Sequence, residues 1–371
     1  YRKKDDEMIK NDCVFFRGEK PCSFKRLCDG CPHYKPFPLK ILIIKGRAMG
    51  DVLRTTSLLP GLKRKYPESH ITWLVDEESV DLLLDNPYID RIVPFHWQEI
   101  LRFLVEDYDV VISLDKEIPS TALATKIKSG QKFGFGINAH GNLTIFNVAS
   151  EYAYRLGIDD DLKFYENKKT YQEIIYEACE LTYHNDPYIF ELREEDRRRA
   201  KKFLKAHHLI KKIPWIGINT GAGSRFETKR WPKERFLELV LLLTEKLKAV
   251  VFLLGGQKEK KINAWIEKKA GPRLYNTGSG NSLREFAGFI SFLDLVVSSD
   301  SLAMHLSLAL KKKVVALFGP TTPQEIELYG LGEKIFAGVD CSPCYKSSCA
   351  DMECMKAIAA EDVYKAIKKL L

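Results

Sequence analysis

Residues 294–320, DLVVSSDSLAMHLSLALKKKVVALFGP, contain a full strand, loop, helix and strand pattern. The apolar run Leu295 to Val297 predicts a buried strand, and small polar residues follow it as far as Asp300 before apolar residues recur at helical spacing. Lys313 to Phe318 predicts the next strand. In an open parallel sheet, a loop at the carboxyl end of a strand that opens into a helix binds phosphates, because free N–H groups and the helix dipole favour an anion. The stretch therefore predicts an α/β fold with an anion site near Asp300.

The polar residues of this stretch allow two interpretations. Asp300 or Ser301 can cap the helix by accepting a hydrogen bond from an unpaired backbone N–H, and His305, one turn further on, can donate to a phosphate oxygen or a sugar hydroxyl. The same residues are equally consistent with a plain helix cap and an ordinary helix histidine. The rest of the chain has to decide between a ligand site and a structural helix start.

The composition is that of a globular chain with two domains. It has 371 residues, of which 45% are hydrophobic, and a formal net charge of +8. No apolar run reaches the roughly 20 residues that span a bilayer, and the N-terminal sequence YRKKDDEMIKND lacks the hydrophobic segment of a signal peptide. We therefore expect a cytoplasmic protein. Its lysines are scattered over helix faces, which does not favour nucleic-acid binding but suits anionic substrates or an anionic membrane surface.

The cysteines are concentrated in two clusters, and only Cys179 lies outside them. In a reducing compartment such clusters bind metal more often than they form disulfides. We expect a structural zinc ion or an iron–sulfur cluster there, with free thiols or disulfides as the alternative, and the spacing does not choose between the metals. The clusters are Cys13, Cys22, Cys28 and Cys31 near the N-terminus, and Cys341, Cys344, Cys349 and Cys354 near the C-terminus.

Strand and helix patterns alternate in two long stretches of the chain. The first contains the strands KILIIK, HITWLVD and DVVISLD, and the second contains PWIGIN, VVFLLGG and the strands of the stretch quoted above. Such alternation predicts parallel sheets with helices on both faces. We predict a cysteine-rich extension over residues 1–38 and two doubly wound, Rossmann-like domains, 39–190 and 191–371, that face each other across a cleft. An amphipathic helix near 361–371 can pack on either domain.

The first glycine-containing loop, GRAMGD, ends in a carboxylate. Gly46 and Gly50 relieve steric crowding, so the backbone can approach a ligand, and Asp51 lies where the strand gives way to a helix. Asp51 can take a proton from an attacking sugar hydroxyl, provided that burial raises its pKa toward neutrality. The alternative, a simple helix cap, is the commoner role for a single aspartate in this position.

Two loops of the second half have the composition of a nucleotide site. Between Asn219 and Pro232 small residues and cations are concentrated, and Lys229 or Arg230 can neutralise a departing diphosphate, although a basic surface loop is the alternative. Glu259 can reach a ribose hydroxyl. Neither loop is G-x-G-x-x-G, so a nicotinamide or flavin cofactor has no support. The donor-site residues expected on these grounds are Thr220, Gly221, Ser224, Lys229, Glu259, Asp300, Ser301 and His305.

Three stretches together resemble family 9 of the glycosyltransferases, the lipopolysaccharide heptosyltransferases. They are KILIIKGRAMGDVLRTTSLLPGLKRKYP, GINTGAGSRFETKRWP and SSDSLAMHLSLALKKKVVALFGPT. The resemblance implies the GT-B fold, with the acceptor held mainly by the N-terminal domain and the nucleotide sugar mainly by the C-terminal one. It also implies an inverting transfer that uses no metal ion or cofactor. In this resemblance Asp51 matches the catalytic aspartate, Lys229 the donor-phosphate lysine, and Asp300 and His305 the Asp-x4-His motif.

The resulting hypothesis is a single displacement. Asp51 deprotonates an acceptor hydroxyl that attacks the anomeric carbon, while Lys229 and the helix near Asp300 stabilise the leaving diphosphate. The expected donor is a nucleotide sugar such as ADP-heptose, and the expected acceptor is a lipopolysaccharide-core or related glycan or glycolipid at the cytoplasmic face of the inner membrane. A catalytically silent, metal-stabilised binding protein and a nucleotide-sugar epimerase are the alternatives, because a fold alone does not establish activity.

Overall fold

The computed structural model describes residues 9–223 and 226–371. The strands are β1 Lys40–Ile44, β2 His70–Val75, β3 Arg91–Pro94, β4 Tyr108–Ser113, β5 Ser129–Ile137, β6 Leu143–Ile145, β7 Trp215–Asn219, β8 Val250–Leu254, β9 Leu274–Asn276, β10 Leu295–Ser299, β11 Lys313–Phe318 and β12 Gly332–Phe336. The α-helices are α1 Met49–Thr55, α2 Leu58–Lys65, α3 Trp97–Phe103, α4 Ile118–Lys126, α5 Glu151–Arg155, α6 Tyr171–Ala178, α7 Glu194–Ala206, α8 Lys233–Leu241, α9 Lys260–Lys269, α10 Leu283–Ile290, α11 Leu302–Ala309, α12 Glu353–Ala357 and α13 Ala360–Leu370. Short 3₁₀ turns lie at Glu77–Leu82, Val148–Ser150, Glu227–Lys229 and Gln257–Glu259, and π turns at Leu162–Glu166 and Leu242–Lys246.

The strands form two six-stranded sheets with the same strand order. The first sheet is ordered β3-β2-β1-β4-β5-β6, and the second, β9-β8-β7-β10-β11-β12, repeats it strand for strand. Neighbouring strands are parallel, apart from the antiparallel pair β5 and β6. In each sheet the strand order reverses between the first and fourth strands, where doubly wound sheets bind ligands at their carboxyl edge. The predicted pair of Rossmann-like domains is therefore confirmed.

The sheets are buried because helices cover both of their faces. In β1 the side chains alternate between two cores: Ile41 and Ile43 pack into one and Leu42 and Ile44 into the other, and all four are fully buried. Buried on both faces, such a strand reads as an unbroken apolar run, which is why it could be recognised in the sequence. Helix α13 packs on the second sheet, in the same buried cluster as β11. The sequence had allowed this helix to pack on either domain.

One predicted helix is divided in two. The apolar spacing predicts a continuous helix over residues 52–66, but the structure has the separate helices α1 and α2. Pro60 lacks the N–H that would bond to the carbonyl of Thr56, so the ladder of helical hydrogen bonds is interrupted between the two helices. Asp51 lies inside the first turn of α1 and not in the loop before it.

The structure does not support the predicted metal at either cysteine cluster. All the cysteines are free thiols, and the described ranges contain no group of three or more His, Cys, Asp or Glu side chains that could hold a metal ion. In the N-terminal extension, Cys13 and Pro36 form an isolated antiparallel β-bridge through their backbones. The rings of Phe24 and His33 are stacked, with their centroids 3.9 Å apart. The correction applies to Cys13, Cys22, Cys28 and Cys31 and equally to Cys341, Cys344, Cys349 and Cys354.

Helix length also bears on membrane association. Within residues 9–223 and 226–371, no helix combines the length and the apolar character that crossing a bilayer requires.

Candidate active site

The two halves of the chain meet where their carboxyl sheet edges face each other, at a contact between α1 and α11. Gly50 in α1 lies against His305 in α11, and a methyl group at Gly50 would come within 2.8 Å of Cδ2 of His305. The glycine was predicted to let the backbone approach a ligand, but what it accommodates here is the imidazole of the opposite half. This contact brings Asp51, the next residue in α1, beside the second half of the chain.

Asp51 is paired with an arginine of its own helix. The terminal Nη2 of Arg54 lies 2.9 Å from Oδ1 of Asp51, and the Asp51 side chain remains 37% exposed. Burial raises the pKa of Asp51, but the cations Arg54 and Lys45 outweigh it, and the pKa falls to about 2. The general-base role was predicted on the condition that burial raises this pKa toward neutrality; the neighbouring cations reverse the direction of the shift.

A buried ion pair anchors the loop that leads to α1. Lys45, directly after β1, donates from Nζ to Oδ1 of Asp115 at 2.7 Å, and the other oxygen of Asp115 accepts from the backbone N–H of Gly46 at 2.6 Å. Lys45 also donates to the carbonyl of Arg47 at 2.6 Å. Because β1 and β4 are neighbours at the switch point of the first sheet, this pair holds the loop at the carboxyl edge.

A second ion pair lies in the other half of the chain. Nζ of Lys229 is 2.7 Å from Oδ2 of Asp300, and both side chains are mostly buried, with 15% and 16% exposed. Thr321 donates its hydroxyl to the same carboxylate oxygen at 3.0 Å. Burial raises the pKa of Asp300, yet the net shift is downward because of the charge and the hydrogen bond of Lys229. Asp300 is thus held ionised and orients the ammonium group of Lys229.

Asn219 joins the loops that follow β7 and β10. Its Nδ2 donates to the carbonyl of Gly221 at 2.8 Å and to the hydroxyls of Ser298 and Ser301, each at 3.2 Å. Ser301 is the N-cap residue of α11, but its side chain makes no capping bond to the helix. The first N–H groups of a helix have no partner within the helix, so this end of α11 suits an anion.

Two other predicted donor residues are engaged inside the protein. Thr220 is 1% exposed and its hydroxyl donates to Oδ1 of Asn263 in α9 at 2.6 Å. Glu259 accepts from the backbone N–H of Gly256 at 3.0 Å, and a methyl group at Gly221 would lie 2.9 Å from its carboxyl carbon. Gly221 therefore lets its loop lie against Glu259. Ser224, also predicted, lies outside the described residues.

His305 is a neutral imidazole at physiological pH. Burial is the main reason why its pKa falls to about 4, and the nearby cations Arg54 and Lys229 lower it further. Its Nδ1 lies 3.3 Å from the hydroxyl of Tyr188, and the residue is only 4% exposed. A neutral imidazole can still donate one N–H to a sugar or phosphate oxygen, but it brings no positive charge.

Several residues that organise this site were not predicted from the sequence. Arg54 could have been found from its position three residues after Asp51, since such residues are neighbours on a helix surface. Lys45 directly follows β1 and Asp115 lies two residues after the end of β4, at the carboxyl edge where polar residues of parallel sheets meet. Asn219 likewise ends an apolar strand, but its bonds to Ser298 and Ser301, 79 and 82 residues further along the chain, could not be predicted from local sequence.

The chain resembles known proteins over most of its length. The sequence profile of glycosyltransferase family 9 (heptosyltransferase) matches residues 97–355. A lipopolysaccharide heptosyltransferase 1 from Campylobacter coli is 25% identical over 351 residues, which cover 90% of this chain and 99% of that protein. The solved family 9 glycosyl transferase from Veillonella parvula aligns with a TM-score of 0.69 at 21% identity, covering 91% of this chain and 98% of its own. The ADP-heptose lps heptosyltransferase II of E. coli aligns with a TM-score of 0.65 at 19% identity, covering 90% and 98%. These similarities confirm the predicted GT-B fold.

Proposed function

The chain belongs to glycosyltransferase family 9, and from that premise we propose that it transfers a heptose from ADP-heptose to a sugar hydroxyl of a glycan acceptor. It is a glycosyltransferase by family, and the heptose and the ADP group are suggested by the names of the relatives it resembles. The acceptor we propose is a lipopolysaccharide-core sugar or a related glycolipid, reached at the cytoplasmic face of the inner membrane. The net charge of +8 suits both an anionic donor and that surface.

One observation carries the proposal: a carboxylate of the first half and a cation of the second half lie on either side of the α1–α11 contact. Asp51 is next to Gly50, which packs on His305. Asp300, the ion-pair partner of Lys229, lies five residues before His305, just ahead of the same helix. In this proposal, the group that removes the proton and the group that binds the diphosphate act on the two sides of this contact. Transfer of a sugar needs both at once.

In the proposed reaction Asp51 acts as the general base. Because its pKa is lowered to about 2, the carboxylate is ionised at neutral pH and can accept a proton. A carboxylate this weakly basic takes the proton late, once the attacking oxygen has begun to bond to the anomeric carbon and its O–H has become acidic. The hydroxyl attacks from the face opposite the diphosphate, so the anomeric configuration is inverted.

The leaving diphosphate is stabilised by groups of the second half. Lys229 supplies a full positive charge, and the N-terminus of α11 supplies backbone N–H groups and the helix dipole. On binding, the diphosphate competes with Asp300 for the ammonium group, which lies between them. These charges can serve the purpose of a divalent cation, and we propose that no metal ion takes part in the transfer.

The direct test is transfer from ADP-heptose by the Asp51→Asn variant. We expect kcat to fall by about 10²- to 10⁴-fold, the usual contribution of general-base catalysis, with donor affinity nearly unchanged. Asp160→Asn is the matched control, because Asp160 is an exposed aspartate of the same half. Near-normal transfer by Asp51→Asn at saturating donor would show that Asp51 is not the base.

The two alternatives predict different products. An epimerase would exchange the sugar configuration of the donor without an acceptor, and a silent binding protein would bind ADP-heptose but release no ADP. Acceptor-dependent formation of ADP, followed with a panel of nucleotide sugars, separates all three and identifies the donor.

A further inference from the structure

Arg54 is a buried cation that the proposed reaction does not itself use. Its side chain is 13% exposed, and its nearest anion is Asp51, one turn earlier on the same short helix. A guanidinium group taken out of water must be compensated by an anion and by hydrogen bonds. The compensation here is incomplete: in the described part of the chain, the buried Nε of Arg54 has no hydrogen-bond partner.

The orientation of Arg54 is determined by an aromatic ring and by Asp51. Cζ of Arg54 lies 3.6 Å from the centroid of the Tyr171 ring. Such stacking is favourable for a desolvated guanidinium and fixes the plane in which its nitrogens lie. With the plane fixed in this way, Nη2 points to Oδ1 of Asp51 while Nε is left unpaired. The orientation thus favours the contact with Asp51 over the satisfaction of every donor.

Tyr171 is itself held from two sides. Its hydroxyl is 2.7 Å from the hydroxyl of Thr55, which in turn donates to the backbone carbonyl of Asp51 at 2.6 Å. Its backbone N–H donates to the carbonyl of Glu325 in the second half at 2.9 Å. Tyr171 begins α6, whose N-terminus carries a capping box formed by Thr170 and Glu173. The ring that supports Arg54 is therefore fixed to α1 and to the opposite domain.

We propose that Arg54 is the positioning residue of the general base: stacked on Tyr171, it holds Oδ1 of Asp51 and thereby orients the carboxylate toward the acceptor hydroxyl. This rests on the proposed function, in which Asp51 is the base. The 37% exposure of Asp51 is consistent with a carboxylate whose one side is held and whose other side is open to the cleft. A carboxylate in the wrong orientation lowers the rate of transfer even when it keeps its charge.

Asp51 and Arg54 are both surrounded by charged and polar groups. Asp51 faces Arg54 on α1, Lys45 after β1, His305 on α11 and the backbone N–H of Ala48. Arg54 faces Asp51 and Tyr171, and also Tyr188 and Glu325. Arg54 is the first of the cations that lower the pKa of Asp51, and its removal is expected to raise that pKa toward its ordinary value.

The test compares the wild type with Arg54→Met and Arg54→Lys in transfer assays between about pH 4.5 and 9. In Arg54→Met we expect kcat at pH 8 to fall by about 10²-fold, as for a misplaced catalytic group, with donor KM within about twofold of the wild type. In the wild type, kcat/KM for the acceptor should stay level across this range, because the pKa of Asp51 is lowered to about 2. In Arg54→Met it should begin to fall below about pH 5.5, since losing an adjacent opposite charge raises a carboxyl pKa by about 1 to 3 units. Arg54→Lys keeps the charge and loses the planar fork, so its kcat/KM should stay level as in the wild type while kcat recovers only in part.

Arg64→Met is the matched control. Arg64 pairs with Asp186 at 2.7 Å in the same half of the chain, away from Asp51, so its loss should lower the unfolding temperature without changing the pH dependence of kcat/KM. An Arg54→Met variant with wild-type kcat at pH 8 overturns the proposal. If Arg54→Met does not fold, Arg54→Lys decides, because full wild-type kcat in that variant contradicts an orienting role.

Asp51→Asn, measured in the same series, distinguishes a wrong role for Arg54 from a wrong assignment of the general base. If Asp51→Asn is active, the assignment of the base fails and Arg54 has nothing to position. If Asp51→Asn is inactive while Arg54→Met behaves as the wild type, only the role of Arg54 is wrong.

Discussion

His305 illustrates how burial decides the chemistry of a residue. In sequence it is a helix histidine that could be charged or neutral, and a charged imidazole would help to bind a diphosphate. In the structure it is enclosed by α1, Tyr188 and α11, and its pKa of about 4 keeps it neutral. The positive charge of the donor site therefore comes from Lys229 and not from His305.

The lowered pKa of His305 predicts how stability depends on pH. As pH falls from 6.5, the ordinary value, to about 4, the unfolded chain binds a proton at this histidine and the folded chain does not. Stability is therefore lost in this window. The wild type should lose up to roughly 3 kcal/mol more of its free energy of unfolding than His305→Asn, from 1.36 kcal/mol per pH unit.

Urea unfolding of the wild type and His305→Asn at pH 7 and pH 4.5 measures this difference. His140→Asn, which replaces an exposed histidine, controls for the removal of an imidazole. Asp51 and Asp300, with lowered pKa values, release their stabilisation only at lower pH, so they titrate outside this window. Parallel pH curves for the wild type and His305→Asn would contradict a neutral, buried His305.

At the scale of elements, the contact of α1 with α11 depends on the absence of one side chain. Gly50→Ala should favour an isolated helix by up to about 1 kcal/mol, because alanine is the better helix former. In the folded protein its methyl group would meet His305 at 2.8 Å, which is closer than van der Waals contact allows. We expect a net loss of stability of about 1 to 3 kcal/mol, the usual cost of overpacking, together with reduced kcat.

A double-mutant cycle tests the origin of that loss. If the clash with His305 is the cause, Gly50→Ala should cost less in the His305→Ala background, since the ring that blocks the methyl group has gone. Gly271→Ala is the control, as nothing lies within 4 Å of its added methyl group. Equal costs in the two backgrounds would mean that the α1–α11 contact is not what Gly50 protects.

The same elements show what the sequence could predict. β1, β10 and β11 are apolar runs that lead into polar loops, so the strands, the helix α11 and the carboxyl-edge site all follow from local patterns. The ion pairs do not follow in this way. Lys45 and Asp115 are 70 residues apart in the chain, and only the sheet order makes them neighbours. The pKa of Asp51 was expected in the wrong direction because its sign depends on such neighbours.

At the scale of the whole molecule, the repeated sheet order gives each half its own polar edge. In the first half the edge carries Lys45, Asp51 and Asp115, and in the second it carries Asn219 and the pair of Lys229 and Asp300. The two halves share one apolar core that includes residues of both sheets. We expect the halves to divide the work, with the diphosphate bound by the second and the proton removed by the first.

This division predicts which variants lose ADP binding. ADP at about 100 times its Kd should stabilise the wild type by about 2.7 kcal/mol, seen as a rise in unfolding temperature. Asp51→Asn should keep that rise because its carboxylate does not touch the diphosphate. Lys229→Met should lose most of it, since a hydrogen bond to a charged group contributes about 1.5 to 3 kcal/mol and its loss weakens binding by about 10- to 100-fold.

Lys233→Met is the control: Lys233 is 48% exposed and lies 3.8 Å from Glu234 on α8. If Asp51→Asn and Lys229→Met lost the rise equally, both halves would bind the diphosphate and the division of labour would be wrong.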